Sequence, residues 1–336
     1  MKKFCYIFLS LLIVLAVAGL YAYNLAFSTY TGECVRINIP ENTTPQQTDS
    51  IIRGALPGQF GSKVARLWNW SVEDPASAHG SYLIEPGQKA WRVAQNIRRG
   101  RQTPVTVTFN NVRTLRQLAE KIADQLELTS DQFSAACDTL LPARGYAGQE
   151  EFPAAFLPDS YEFYWTATPA SVVKRLADSR DKFWNDTRRA KAAALGLRPV
   201  EVATIASIVE EETANKEERP MIARLYLNRV AKGMKLQADP TVKFATGDFT
   251  LRRITGAHLR TPSPYNTYLH QGLPPGPIRI VDRSTLQAVL DAPRHNYLYM
   301  CAKEDFSGTH NFATDYQTHM ANARRYQAAL NKRGIK

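Results

Sequence analysis

Ile205-Ala206-Ser207-Ile208-Val209-Glu210-Glu211-Glu212-Thr213 is the stretch on which the reading of this chain turns. It is an apolar helical segment that ends in three successive carboxylates. Val202, Ile205, Ala206 and Val209 recur at the 3.6-residue spacing of a buried face, which gives no packing reason for Glu210 one step later. Ala203, Ala206, Ser207 and Ala214 stand three, four or seven positions from Glu210, so its carboxylate is expected to project from a wall of small residues into a cleft. The plain alternative is a solvated acidic end on a helix of good helix formers.

The rest of the chain bounds what such a cleft can serve. At 336 residues, 44% of them hydrophobic, it can bury a large core in two or three packed units. A formal charge of +11 would suit nucleic acid, an anionic membrane or an acidic polymer. The basic residues are dispersed beyond short clusters such as Arg98-Arg99-Gly100-Arg101, and no nucleic-acid motif accompanies them, so nucleic acid is not expected as a partner. Met1-Lys2-Lys3 precedes an uncharged apolar run from Phe4 to Tyr23, long enough to span a bilayer as a helix. The lysines place its start inside, and the remainder outside. Ala16-Val17-Ala18 also fits a signal-peptidase site, but the run continues through Tyr23, which favours an uncleaved anchor. Cys5 lies in that run, leaving Cys34, Cys137 and Cys301 at wide spacing with no disulfide framework. The six histidines form no ligand pair, and neither a metal nor a cofactor is expected.

Beyond the anchor, Val35–Ile39 and Val105–Phe109 alternate as strands, and Gly80 to Gly87 reads as a short strand and turn before a helix with Trp91, Ala94 and Ile97. Thr44 with Gln47, Thr114 with Gln117, and Thr129 with Gln132 are helix-capping pairs. From Phe152 the texture turns to helices and ordered aromatic loops. Asp239-Pro240 reads as an N-cap and helix start. Tyr297 to Ala302 reads as a strand, and Thr314 to Lys332 as a closing helix. The expected class is α+β. Residues 1–27 form the anchor, 28–150 an α+β region, and 151–336 a mixed, mainly helical domain.

Four motifs then carry a resemblance: Ile208-Val209-Glu210-Glu211-Glu212-Thr213, Leu236-Gln237-Ala238-Asp239-Pro240-Thr241-Val242, Tyr265-Asn266-Thr267-Tyr268 and Gly272-Leu273-Pro274-Pro275-Gly276-Pro277-Ile278. Together and in this order they resemble the YceG-like, or MltG, family of endolytic murein transglycosylases. The resemblance implies an inner-membrane protein with a LysM-like region and an extracytoplasmic catalytic domain. It implies cleavage of peptidoglycan between N-acetylmuramic acid and N-acetylglucosamine to leave a 1,6-anhydro end, and association with synthases in terminating glycan strands. Glu210 matches the family's glutamate after Ile-Val and is expected as general acid, then base; one carboxyl suffices, because the sugar's own C6 hydroxyl closes on C1. Glu212 lies about 200° round a helix from Glu210 and is expected in a supporting place unless the helix ends there. Gln237, Asp239, Tyr265, Asn266 and Thr267 are expected to position substrate. Asp159 and Tyr161 match a Pro-Asp-(Thr/Ser)-Tyr segment that could face the cleft or form a turn with a packed tyrosine. The chain departs from the pattern at Pro153, Ala154 and Glu211, and an added carboxylate at 211 should raise the pKa of Glu210. The rivals are a hydrolase that activates water with Asp239 or Glu212, and an anchored glycan-binding scaffold without catalysis.

Overall fold

The computed structural model describes residues 2–251 and 254–334; Met1, and the side chains of Lys2 and Lys3 that flank the expected anchor, lie outside that description. Helix α1 (Lys2–Phe27) is long and apolar enough over Phe4–Phe27 to cross a membrane. The chain gathers into two compact units. One comprises residues 1–107, 123–128 and 161–168, and the other 108–122, 129–160 and 169–336. The sequence reading instead makes single cuts, after residues 27 and 150.

The first unit is built after α1 from β1 (Val35–Ile39), α2 (Pro45–Ala55), α3 (Gly58–Ser71), β2 (Gly80–Ile84) and α4 (Ala90–Arg98). β1 and β2 pair antiparallel with Ile37 opposite Tyr82. The alternation in β1 buries Ile37 and Ile39 against Ile52, Trp68, Val93 and Ile97. Thr44 and Gln47 form the expected capping box on α2.

β3 (Val105–Phe109), α5 (Leu115–Ala123), α6 (Ser130–Leu140) and β4 (Asp159–Phe163) follow. β3 and β4 hydrogen-bond to each other, so Asp159 and Tyr161, read as facing a cleft or as a turn with a packed tyrosine, lie in a strand. The remaining elements are α7 (Pro169–Phe183), α8 (Asp186–Ala194), α9 (Pro199–Glu212), α10 (Arg219–Ala231), α11 (Asp239–Thr246), α12 (Arg283–Leu290), β5 (Tyr299–Ala302), β6 (His310–Ala313) and α13 (Tyr316–Lys332). β5 and β6 pair antiparallel. This gives the α+β class expected, with short two-stranded pairs among helices.

α9 is the centre of the second unit. Its residues from Val202 to Glu210 are all buried, as a helix apolar on most sides must be. α8, α10, α11 and α12 pack around it. The Gly272-to-Ile278 loop is clipped to it where the Ile278 N–H donates to Ser207 Oγ at 3.0 Å. In that loop a Cβ on Gly276 would stand 1.9 Å from the carbonyl oxygen of Glu150, a backbone atom that cannot swing away. Gly276→Ala is therefore expected to lower stability by about 1–3 kcal/mol, read as an earlier urea-unfolding midpoint. Gly196→Ala meets no neighbouring atom and should cost only its left-handed backbone strain, so it serves as the control.

Candidate functional site

α9 ends where its acidic run ends. Thr213 turns to extended backbone, and its N–H is the last to bond back into the helix, to Val209 O at 3.3 Å. The three carboxylates consequently leave in three directions.

Glu210 turns inward. Its side chain is 4% exposed. Oε2 accepts from Thr285 Oγ1 at 2.6 Å and from the Asp282 N–H at 3.1 Å, at the N-terminus of α12. Oε1 lies 3.2 Å from Arg279 Nε, and Arg219 Nη1 approaches Oε2 at 3.8 Å. Burial raises its pKa, against the Thr285 hydrogen bond and the Arg279 charge. The other charge that raises it is Asp282, not Glu211. Glu211 is itself engaged by Arg279 Nη1 at 2.7 Å and Arg113 Nη2 at 3.2 Å, which corrects the expectation drawn from its position.

Glu212 faces a cavity of about 250 Å³. Its Oε1 accepts from Tyr226 Oη at 2.7 Å. Burial is the main cause that pushes its pKa up, to about 7; Asp239 adds to the rise, while the Tyr226 bond, His310 and Lys243 pull it down. Glu210 and Glu212 both lie within α9, so the 200° separation holds and turns the two carboxyls to different sides of the helix. It is Glu210 that is absent from the residues lining this cavity.

Gln237 and Asp239 line the same cavity as Glu212. Gln237 holds φ at +49°, a left-handed conformation that costs a non-glycine residue strain. Its N–H is satisfied by Thr267 O at 3.2 Å. Asp239 is the first helical residue of α11 and caps nothing; the N-cap position belongs to Ala238. Its Oδ1 instead accepts from Tyr268 Oη at 2.7 Å.

Tyr265, Asn266 and Thr267 are not among the residues that line this cavity; they bond or pack within its frame. Asn266 is fully buried, with its amide donating to Leu259 O and Thr261 O and its Oδ1 taking the Tyr268 N–H at 3.0 Å. Thr267 Oγ1 meets Thr241 Oγ1 at 2.8 Å and takes the Ala238 N–H at 3.0 Å. Tyr265 packs on Phe244 with ring centroids 4.6 Å apart. Asp159 is exposed and pairs with Arg283 at 2.6 Å. Tyr161 belongs to the first unit, where it is buried beside Phe163.

Three further residues of this cavity escape the sequence reading, Tyr226, Arg229 and His310, and Tyr268, quoted there within its motif, also lines it. Tyr226 falls on the apolar spacing of α10, where its hydroxyl was the available signal. Arg229 donates to Leu236 O at 2.8 Å and Leu298 O at 2.6 Å, and burial lowers its pKa. His310 lies on β6, a four-residue strand too short for its pattern to register. Glu218 holds that histidine twice, at the backbone N–H and at Nδ1, both at 2.7 Å.

Residues 37–325 match the YceG-like family. The chain is 26% identical over 322 residues to a protein of Bacillus subtilis named endolytic murein transglycosylase, covering 89% of this chain and 86% of the relative. It is 24% identical to a protein of the same name from Streptococcus pneumoniae, over 90% of this chain but 61% of the relative. A crystal structure of a yceG-like protein from Listeria monocytogenes shares the fold, with a TM-score of 0.58 and 22% identity over 86% of this chain and 98% of that one.

The two glutamates should separate by stability. Glu210→Ala leaves the buried Arg219 without its anion and Arg279 with Glu211 alone, and should cost about 3–5 kcal/mol, read by urea unfolding. Glu212→Gln should do the opposite at high pH. From its ordinary value near 4.5 up to about 7, the unfolded chain releases this proton while the folded chain holds it. The group therefore erodes stability as pH rises through that window. The variant should gain on the parent by up to about 3 kcal/mol above pH 7 and by nothing below about pH 4.5.

Proposed function

The chain belongs to the YceG-like family, and from that premise we propose that it is a membrane-anchored endolytic lytic transglycosylase of peptidoglycan with Glu212 as its acid and base. The observation that carries this reading is the Glu212 carboxyl itself: pushed up to about 7, it is a proton donor near neutrality, facing a polar cavity with Asp239 and Tyr226.

The chemistry balances with one carboxyl. Protonated Glu212 gives its proton to the glycosidic oxygen as the C1–O bond of N-acetylmuramic acid breaks, and N-acetylglucosamine leaves as an alcohol. Positive charge builds at C1, opposite the newly formed carboxylate. That carboxylate takes the proton of the C6 hydroxyl as O6 closes on C1, which leaves a 1,6-anhydro end and returns Glu212 to its starting state. No water is consumed. Tyr226, donating to Oε1, favours the carboxylate form that exists between the two steps. Asp239, with one oxygen held by Tyr268, adds the charge that returns the proton to Glu212. Gln237, held in its left-handed conformation, is assigned to the sugar's acetamido or hydroxyl groups.

This assignment moves the acid from Glu210 to Glu212. An enclosed carboxylate already bonded to a helix N-terminus and flanked by two arginines has no opening toward a sugar. α1 is assigned as a single-pass inner-membrane anchor with its N-terminus in the cytoplasm, which puts the cavity on the periplasmic side, where nascent strands and their synthases are. The βααβ portion of the first unit, β1 to β2, is assigned the LysM-like role of holding glycan.

Digestion of purified peptidoglycan with mass analysis tests the mechanism. Anhydro ends one water lighter than hydrolysed ends are expected; hydrolysed ends alone would mean that Asp239 activates water. Glu212→Gln should lose about 10²–10⁴-fold in rate while still sedimenting with peptidoglycan. Undiminished cleavage by that variant would return the assignment to another residue.

The pH profile gives a second test. The acid limb of kcat/KM should fall off above about pH 7 in the parent. Tyr226→Phe removes a hydrogen bond that lowers the Glu212 pKa, so its fall-off should move to higher pH. A limb that stays in place would disconnect Tyr226 from the acid.

A further inference from the structure

We propose that the face of the first unit formed by the end of α1 with α3 and α4 is a membrane-docking surface, seated on the phospholipid headgroups around the anchor with Trp70 and Trp91 at the boundary of headgroup and acyl chain. The inference rests on α1 being the membrane anchor.

α1 is not joined to the first unit by a tether. Ser28 and Thr29 alone separate it from Tyr30, which is 2% exposed in the core of that unit. The Tyr30 N–H donates to Gln88 O at 2.9 Å, and Tyr30 O takes the Gly87 N–H at 2.8 Å. Lys89 Nζ reaches Thr29 Oγ1 at 2.6 Å, and the Ala90 N–H reaches Ser28 O at 3.0 Å. The turn that opens α4 therefore grips the chain as it leaves α1.

The grip continues down the helix. Lys63 Nζ donates to Asn24 Oδ1 at 2.7 Å, Arg66 bonds the Tyr21 hydroxyl, and Leu25 packs against the core of the unit. The last two turns of α1 thus lie alongside α3. That leaves Phe4 to Leu20 for the hydrocarbon, a length of about 26 Å at 1.5 Å per residue, close to the ~30 Å core of a bilayer. Tyr21 to Phe27 must then rise through the headgroup layer, and whatever flanks them sits at the same depth.

What flanks them is apolar and aromatic. Trp70 is 80% exposed, more than any other large apolar side chain among the described residues, and Trp91 is 38% exposed. With Tyr23 and Phe27 they line a concavity of about 610 Å³ floored by Leu67. An indole so exposed to water costs stability, whereas at a bilayer interface it occupies the depth that tryptophan prefers. Lys63 and Arg66, on the same helix as Trp70 and beside α1, bring cations to the level of the phosphates. Continuity with the lipid around α1 is what identifies the occupant.

The test uses the full chain in nanodiscs of phosphatidylethanolamine and phosphatidylglycerol that contain lipids brominated at a shallow or a deep acyl position. Bromine quenches tryptophan on contact. With shallow bromine, the quenched part of the emission should fall by more than half in Trp70→Phe/Trp91→Phe, because of the three tryptophans that remain Trp68 and Trp184 are buried and Trp165 is half-buried. A Leu12→Trp variant reports on the anchor, and its added indole should be quenched by deep bromine. Quenching of that added indole with no difference between parent and double variant overturns the docking surface and leaves the anchor standing. No quenching of the added indole overturns both. Indoles that escape bromine yet resist aqueous iodide would be covered by protein, which also overturns the proposal.

Discussion

Glu210 carries a carboxylate into a space where its side chain is 4% exposed, and partners from three stretches of chain meet to compensate it. Arg219 comes from α10, Arg279 from the loop after Ile278, and Thr285 and the Asp282 N–H from the start of α12. Removing charges from water costs several kcal/mol each, and only a complete set of partners recovers it. The arrangement therefore tolerates little displacement of α9 against α10 and α12. Because Glu210 is pinned, the helix end two residues later is pinned with it, and Glu212 inherits a fixed position without bonds of its own to the frame beyond Tyr226.

The opposite wall of the cavity depends on hydroxyl and amide contacts made within the protein. The Thr241–Thr267 pair and the Ala238 N–H lock the start of α11 to the Tyr265-to-Tyr268 loop. Asn266 closes that loop on three backbone groups. Their product is the placement of Gln237, Asp239 and Tyr268 on one side of the cavity. Frame residues and cavity residues therefore sit side by side in the same short stretches, Gln237-Ala238-Asp239 and Asn266-Thr267-Tyr268.

Much of the fold is legible in the sequence because it is written in local rules. Capping pairs at Thr44 and Thr129, alternation in β1 and β3, and the glycine and proline that precede α9 all act within a few residues. Strands β4 and β6 are not legible: β4 begins at the aspartate of Pro158-Asp159, a pair that reads locally as a turn, and β6 has only four residues, three of them half-buried, with no alternation. The site is legible as a set of motifs but not as a set of roles. Helical spacing places Ala203, Ala206 and Ser207 on the Glu210 side of α9, while Ala214 falls past the helix end; what spacing cannot state is that this side closes against α12. Tyr161 and Asn266 fail for the same reason: polarity marks a residue that needs a partner, and the partner can be protein as readily as sugar.

The three carboxylates also break a rule of helix electrostatics. The C-terminal end of a helix presents unpaired carbonyls and partial negative charge, and it favours cations. α9 ends in Glu210, Glu211 and Glu212 with no basic residue in its last turn. Two of the three are compensated by arginines from elsewhere in the second unit, at the cost of burying those arginines with them. The third has no ion pair among the described residues; burial and Asp239 oppose its ionisation, and a carboxylate at a helix C-terminus meets the helix's own field in the same sense. A carboxyl that must stay protonated near neutrality is best placed where a folded protein would otherwise avoid a carboxylate. On this argument the acidic run is not redundant: Glu210 and Glu211, each held by arginines, fix the helix end, and the position left uncompensated is the one that can give up a proton and take it back.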